Sequence, residues 1–275
     1  MAGKLYVVGT PIGNLSDFSP RAIETLGLVD FIAAEDTRVT VKLLNRFGIK
    51  KPMISYYEHN KTGRGNDIID RLVAGEVCAL VSDAGMPAIS DPGEDLVRMC
   101  HENNIEVESV PGPTAITTAL AIAGMPTGRF CFEGFLSVNK PSRKAHLEEL
   151  KFEKRTMVFY EAPHKLISTL EDMRNHFGER KIALVRELTK LHEEVIHTTF
   201  TEALALYNEE KSPKGEFVLI VSGYEETDDK NYTIEEAVKI AKEYIADGNA
   251  ASTAAKMAAA DTGFRKNDIY RLINE

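Results

Sequence analysis

Val81-Ser-Asp-Ala-Gly-Met-Pro-Ala-Ile-Ser-Asp-Pro-Gly93 is the stretch whose reading decides the fold. It follows the apolar run Val77-Cys-Ala-Leu-Val81 and leads into a helical pattern through Leu96 and Cys100. That order reads as strand, loop, helix. Asp91 fits the cap position, Pro92 the first helical position and Glu94 the third, so the spacing predicts a helix capped by Asp91. Between strand and helix lie small residues, prolines and a carboxylate. Such a rigid loop stands at the carboxyl edge of a sheet, where open α/β folds place their ligand sites.

Outward from this loop the same rhythm repeats. Leu5–Val8, Phe31–Ala34 and Val107–Val110 read as further strands, with helices expected over Ala22–Leu26, Thr37–Phe47 and Ile68–Val73. Strands alternating with helices imply a doubly wound, mainly parallel sheet. After the Pro111-Gly112-Pro113 hinge a small-residue helix runs from Thr114 to Ala123. Phe130–Phe132, Met157–Tyr160, Ile182–Val185, Val195–Thr199 and Phe217–Val221 then read as strands. Several are too close together for intervening helices, which implies a mixed second sheet. Beyond a charged linker at 224–232, Thr233-x-x-Glu236 is a capping box, and an alanine-faced helix over Ala251–Ala259 is followed by another through Ile269 and Ile273. The expected organisation is an α/β domain over 1–112, a second α/β domain with a mixed sheet over 113–224, and a helix-turn-helix-like module over 230–275. The crevice between two such α/β domains is the default ligand site.

The net charge of −9 argues against generic nucleic-acid binding, which leaves a basic footprint. One segment runs against that balance: Lys140, Arg143, Lys144, Lys151, Lys154 and Arg155. It reads either as a solvated helix with ion pairs one turn apart or as a local phosphate-contacting patch. Arg265 and Lys266 are a second basic pair, in a C-terminal module that serves either docking or nucleic-acid contact. The odd count of three cysteines, with no C-x-x-C, implies reduced thiols in a cytoplasmic protein and no structural metal. No apolar run is long enough to span a bilayer.

Gly9-Thr-Pro-Ile-Gly-Asn14 is neither G-x-G-x-x-G nor a P-loop, so neither phosphate-binding mechanism is supported. Polar groups recur at strand ends: Glu35-Asp36-Thr-Arg38, Asp83, Thr114 and Ala115 at a helix start, Glu161 after Phe159-Tyr160, and Arg186-Glu187-Leu188. His59 lies in a polar loop between two elements. Asp36 also fits a helix cap.

The succession V-G-T-P-I-G-N-L, A-E-D-T-R, V-S-D-A-G-M-P-A-I-S-D-P-G, V-P-G-P-T-A, F-Y-E-A-P-H-K, V-R-E-L-T-K and G-E-F-V-L resembles the tetrapyrrole methylase superfamily. Within it, nearly the whole chain is similar to the 16S ribosomal RNA cytidine 2'-O-methyltransferases, the small-subunit methyltransferase I family. The resemblance implies a two-domain tetrapyrrole-methylase-like fold that binds S-adenosylmethionine in the cleft. Carried over by motif, Pro11, Ile12 and Gly13 of the first loop, Asp83, Ala84, Gly85 and Ile89 of the second, Thr114 and Ala115, Glu161, and Leu188 would contact the cofactor. Ile12, Asn14 and Glu161 depart from the porphyrinoid pattern and fit the RNA branch.

The implied reaction moves a methyl group to a cytidine ribose in the decoding region of the small ribosomal subunit, by a homodimer that needs no metal. A proton acceptor near the 2'-hydroxyl would assist, with Asp36, His59, Asp83 and Glu161 as candidates. Lys140, Arg143, Lys144, Arg265 and Lys266 are the candidate RNA contacts. Two other readings stay open: a corrin-precursor C-methyltransferase on the same fold, and a non-catalytic nucleotide-binding regulator.

Overall fold

The computed structural model describes residues 3–58, 61–207, 212–226 and 232–274. Two compact units emerge, residues 1–224 and 225–275. The first holds both sheets, one on either side of the Pro111–Pro113 stretch.

The first half runs β1 (Lys4–Val8), α1 (Pro20–Leu28), β2 (Phe31–Ala34), α2 (Thr37–Arg46), β3 (Met53–Ser55), α3 (Lys61–Val73), β4 (Val77–Val81), α4 (Glu94–Glu102), β5 (Glu106–Val110) and α5 (Ala115–Ile122). Its strands form a sheet of order β3-β2-β4-β1-β5, and every pair is parallel. Alternate side chains enter two cores, because successive residues of a strand face opposite ways. Leu5, Val7, Phe31, Ala33, Cys78 and Leu80 fill one face. Val8, Ile32, Ala34, Ala79 and Val81 fill the other, against Ala22, Leu26 and Leu44 of α1 and α2. Helix starts follow the capping chemistry: Ser19 accepts from the Ala22 amide and precedes Pro20, and Asp36 accepts from the Arg38 amide.

The second half runs β6 (Phe130–Phe135), α6 (Lys140–Glu149), β7 (Thr156–Glu161), α7 (Leu166–Phe177), β8 (Lys181–Arg186), β9 (Glu194–Thr199), α8 (Phe200–Leu206) and β10 (Phe217–Val221). The sheet order is β6-β7-β10-β8-β9. Only β6 and β7 pair in parallel, so the sheet is mixed. Phe159, Leu184 and Leu219 pack under α7 and α8 on one face. Val158, Val185, Val218 and Ile220 pack against Ile116, Ala119 and Leu120 of α5 on the other.

The second unit is α9 (Ile234–Ala246), α10 (Ala251–Thr262) and α11 (Lys266–Asn274). Thr233 and Glu236 form the expected capping box, and Gly263 ends α10 in the left-handed conformation. Buried here are Ala237, Ala241, Ala254, Ala255, Ala258 and Ile269, and the short alanine side chains let the helices cross closely. Among the described residues no helix is long and apolar enough to cross a membrane.

Candidate functional site

The carboxyl ends of β1 and β4, the start of α5 and one face of the second sheet enclose a cavity of about 830 Å³. Ile12, Ala84, Gly85, Met86, Ile89 and Asp91 line it from the first sheet's loops. Phe132, Tyr160, Glu161, Val185, Leu188 and Val218 line it from the second sheet.

Backbone contacts fix the floor. Thr10 and Gly85 exchange hydrogen bonds, Thr10 N to Gly85 O at 2.9 Å and Gly85 N to Thr10 O at 3.1 Å. Thr10 Oγ1 also donates to Ser82 O at 3.2 Å. The loops after β1 and β4 therefore move as one piece. Gly9 packs on Gly112 so closely that a Cβ on Gly9 would sit 2.7 Å from the Gly112 Cα. Gly13 serves the same need on the other side, where a Cβ would meet Leu188 O at 2.9 Å.

Asp91 corrects the sequence expectation. It does not cap α4, which starts at Glu94 with Gly93 in the cap position and no side-chain cap. Gly93, at φ +147°, makes the turn, and a Cβ there would meet Leu80 Cδ2 at 2.8 Å. The Pro92-Gly93 turn interposes two residues, so Asp91 falls too far back to reach the first helical amides. Glu94 and Asp95 in the first turn complement the helix N-terminus instead. Asp91 turns inward, where Ser82 is its hydrogen-bond partner, and faces the cavity. Burial pushes its carboxyl above the ordinary aspartate range, and the Asp83 charge adds to the shift.

The neighbouring acids divide. Burial also raises Glu35 and Asp83. The Asp83 amide donates to Glu35 Oε2 at 3.2 Å, and Asp83 Oδ1 accepts from the Asp36 amide at 3.2 Å, so these groups tie the ends of β2 and β4 together. Asp36 is held down at about 2 by the Arg38 guanidinium, which binds both its oxygens, with Nη2 to Oδ2 at 2.7 Å. Asp36 is thus a cap with a weakly basic carboxylate, outside the cavity wall. His59 lies outside the described residues.

Glu161 is on the wall and only 4% exposed. It accepts from the Ala162 amide at 2.8 Å and from the Thr169 hydroxyl. Thr169 Oγ1 accepts in turn from Arg143 Nη2 at 2.8 Å, and Arg143 Nε donates to Asp172 at 2.6 Å. Arg143 therefore does not belong to an exposed basic face. It is 8% exposed, and its guanidinium supports a wall residue from behind. Lys140 and Lys144 are exposed on α6, as are Arg265 and Lys266 in the second unit.

Of the residues expected at the cofactor, Ile12, Ala84, Gly85, Ile89, Thr114, Ala115, Glu161 and Leu188 lie on the cavity wall. Pro11, Gly13 and Asp83 are not among its lining residues. Missed from the sequence were Asp91, Tyr160 and the phenylalanines of β6. Tyr160 read only as the end of a strand, but its hydroxyl meets the Ile116 amide at the start of α5, and burial pushes it up to about 12. Among the described residues no group of His, Cys, Asp and Glu could hold a metal ion.

The family model for tetrapyrrole (corrin/porphyrin) methylases matches residues 4–204. A Synechocystis protein named ribosomal RNA small subunit methyltransferase I is 47% identical over 98% of this chain and 97% of its own. A Thermotoga maritima protein of the same name is 49% identical over 81% of this chain and 100% of its own. The chain belongs to the tetrapyrrole methylase family, in its ribosomal RNA small subunit methyltransferase I branch. The fold agrees. The Thermus thermophilus uroporphyrin-III C-methyltransferase complexed with S-adenyl homocysteine superposes with TM-score 0.55 at 17% identity, over 80% of this chain and 97% of that one. Membership makes the chain an S-adenosylmethionine-dependent methyltransferase.

Proposed function

We propose that the protein methylates the 2'-hydroxyl of a cytidine ribose in 16S ribosomal RNA, at the decoding region of the small ribosomal subunit, using S-adenosylmethionine held in the cavity. The names borne by its relatives support ribosomal RNA as the acceptor. The observation that carries the reading is a cavity of about 830 Å³ with Asp91 on an otherwise mostly apolar wall, a carboxylate that has no basic partner among the described residues. The volume lies within the range of small-molecule sites. A sulfonium cation suits such a carboxylate-bearing apolar site, and the first amides of α5 suit a carboxylate or a polar base edge.

When bound, S-adenosylmethionine supplies a methyl group already activated by the sulfonium. Ile12, Gly85, Ile89, Thr114, Ala115 and Leu188 hold it, and the interlocked loops after β1 and β4 keep that cradle rigid. Positioning of this kind contributes much of the rate in a transfer between two bound groups. Asp91 takes the proton of the ribose hydroxyl, a task favoured by a carboxyl raised above the ordinary aspartate range. Burial keeps it raised, and the Asp83 charge adds to the shift. Glu161, buttressed by Thr169 and Arg143, fixes the opposite wall. This assignment puts Asp91 ahead of Asp36, whose pairing with Arg38 suits it less.

Lys140 and Lys144 on α6, with Arg265 and Lys266, contact phosphates. Charge reversal at Lys140 and Lys144 is expected to weaken subunit binding and flatten its salt dependence, by about one unit of slope for each phosphate no longer neutralised. Arg143→Met is expected to leave that slope unchanged while lowering the melting temperature. Filter binding across a salt series separates the two. A homodimer in the cytoplasm is part of the same reading, and sedimentation velocity reads the oligomeric state.

The reading is tested by incubating the protein with radiolabelled S-adenosylmethionine and small subunits lacking the modification, then digesting with nuclease. Label in 2'-O-methylcytidine is expected. Label on a base carbon, or on a corrin precursor instead of the subunit, would replace it.

A further inference from the structure

The cleft face of β6 carries an exposed aromatic platform that a regular strand could not build. Phe130 and Phe132 share a face, and three residues after Phe132 a regular strand would turn Phe135 to the opposite one. Here the register shifts: Phe132 pairs with Val158, Gly134 with Phe159 and Phe135 with Tyr160. Glu133 is the extra residue of a β-bulge, and Gly134 takes φ +64°, the left-handed conformation glycine tolerates. The bulge brings Phe135 back to the face of Phe132 and Tyr160. It is pinned from behind by His146 Nε2, which donates to Glu133 Oε2 at 2.9 Å.

The result is a wall of rings at the cavity. Tyr160 meets Phe132 at 5.0 Å and Phe135 at 5.5 Å between centroids. Phe130, Phe132 and Phe135 all line the cavity, and Phe135 is 57% exposed. A phenylalanine that exposed, on a bulge built to aim it, packs little core. The segment after it leads into α6, where Lys140 and Lys144 stand five and nine residues beyond Phe135. Four residues apart on one helix, both are exposed on the same side, with no ion pair among the described residues. A planar apolar group at the mouth of the cavity, followed in the chain by a helix that starts with exposed cations, is the chemistry of an unstacked nucleobase and its flanking phosphates.

We propose that Phe135, aimed by the Glu133–Gly134 bulge, is the platform on which an unstacked base of the RNA acceptor lies, with Lys140 and Lys144 on the adjoining phosphates. This rests on the RNA reading above. Base stacking works on any flat π face, so the platform positions the nucleotide, while the cavity wall beyond it selects the base.

The test compares wild type, Phe135→Ala, Phe135→Leu and Phe135→Tyr in methyl transfer to small subunits lacking the modification. Affinity for S-adenosyl homocysteine and the sedimentation coefficient are measured alongside. Phe135→Ala is expected to raise the KM for subunits about tenfold, the size of one base stacked on an aromatic ring. Affinity for S-adenosyl homocysteine and sedimentation stay as in wild type. Phe135→Tyr keeps the flat ring and restores KM, whereas Phe135→Leu, apolar but not flat, does not. An unchanged KM in Phe135→Ala, or full rescue by leucine, overturns the stacking role and leaves the RNA reading standing. A shift of Phe135→Ala to a smaller particle identifies a second copy of the chain as the occupant and also overturns it. No labelling of subunits by the wild type overturns both.

Discussion

Asp91→Asn is expected to lower kcat for methyl transfer by about 100-fold or more, with S-adenosyl homocysteine still bound, because a positioned proton acceptor contributes on that scale. The variant keeps the size and polarity of the side chain and removes only its basicity. The pH profile carries the sign. Burial raises the Asp91 carboxyl, so the wild-type rate falls as pH drops through that raised value, above the usual aspartate range. The asparagine variant loses this acid limb. Stability moves the other way. A carboxyl whose folded-state pKa is raised contributes stability below its unfolded value, and that contribution is lost as pH rises through the folded value. Asparagine stays neutral throughout, so the variant is expected to melt higher than wild type at pH 7, with the gap closing in acid. A wild-type rate in Asp91→Asn removes Asp91 from the chemistry. A lower melting temperature at pH 7 contradicts the claim that its charge is held against a burial penalty.

Gly9→Ala is expected to destabilise the protein by about 3 kcal/mol, within the range for overpacking a tight core. For a chain of this size that corresponds to roughly 8 °C in melting temperature. The cause is backbone against backbone. A methyl on Gly9 would sit 2.7 Å from both the Cα and the N of Gly112, and a methyl on Gly112 would sit 2.8 Å from the Gly9 Cα. Neither side is a flexible side chain that could swing away. Gly9 N also donates to Val110 O at 3.0 Å, so opening the contact strains the β1–β5 ladder. The strain passes on through Thr10, whose backbone pairs with Gly85 on the cavity wall. Cofactor affinity should therefore fall together with stability. Gly27→Ala is the matched control: nothing lies within 4 Å of a Cβ there, at an exposed position of α1. It is expected to stabilise slightly, since alanine holds a helix better than glycine by up to about 1 kcal/mol. Equal melting temperatures for the two alanine variants would contradict the account of the Gly9–Gly112 contact.

Most strands were legible in the sequence because they are apolar runs between turn residues. β3 was not. At Met53–Ser55 it is too short to show a period, and it borrows its pairing from β2. The mixed second sheet was legible from spacing, since no helix fits between β8 and β9. At the site, strand-end loops pointed to residues that line the cavity, at the sheet edge where parallel sheets place their ligand sites. Individual roles were harder to read. Asp91 fits a helix-cap pattern letter by letter, and only the conformation of Gly93 shows that the chain turns once more before the helix begins. Arg143 sits among lysines in a basic run, yet its partner Asp172 is 29 residues away and invisible to local pattern. The aromatic face of β6 was hidden by a single bulge, which changes the parity on which strand reading depends.

The claim that joins these observations is that one cavity, shared by both sheets, holds the methyl donor. Calorimetric titration of S-adenosyl homocysteine against wild type and Ala115→Trp tests it most directly. Ala115 is the first residue of α5, half-buried and on the cavity wall, so an indole there takes up space the donor would occupy. Saturable one-site binding by the wild type and none by the folded variant is the expected result. Undiminished binding by Ala115→Trp would place the donor elsewhere and contradict it.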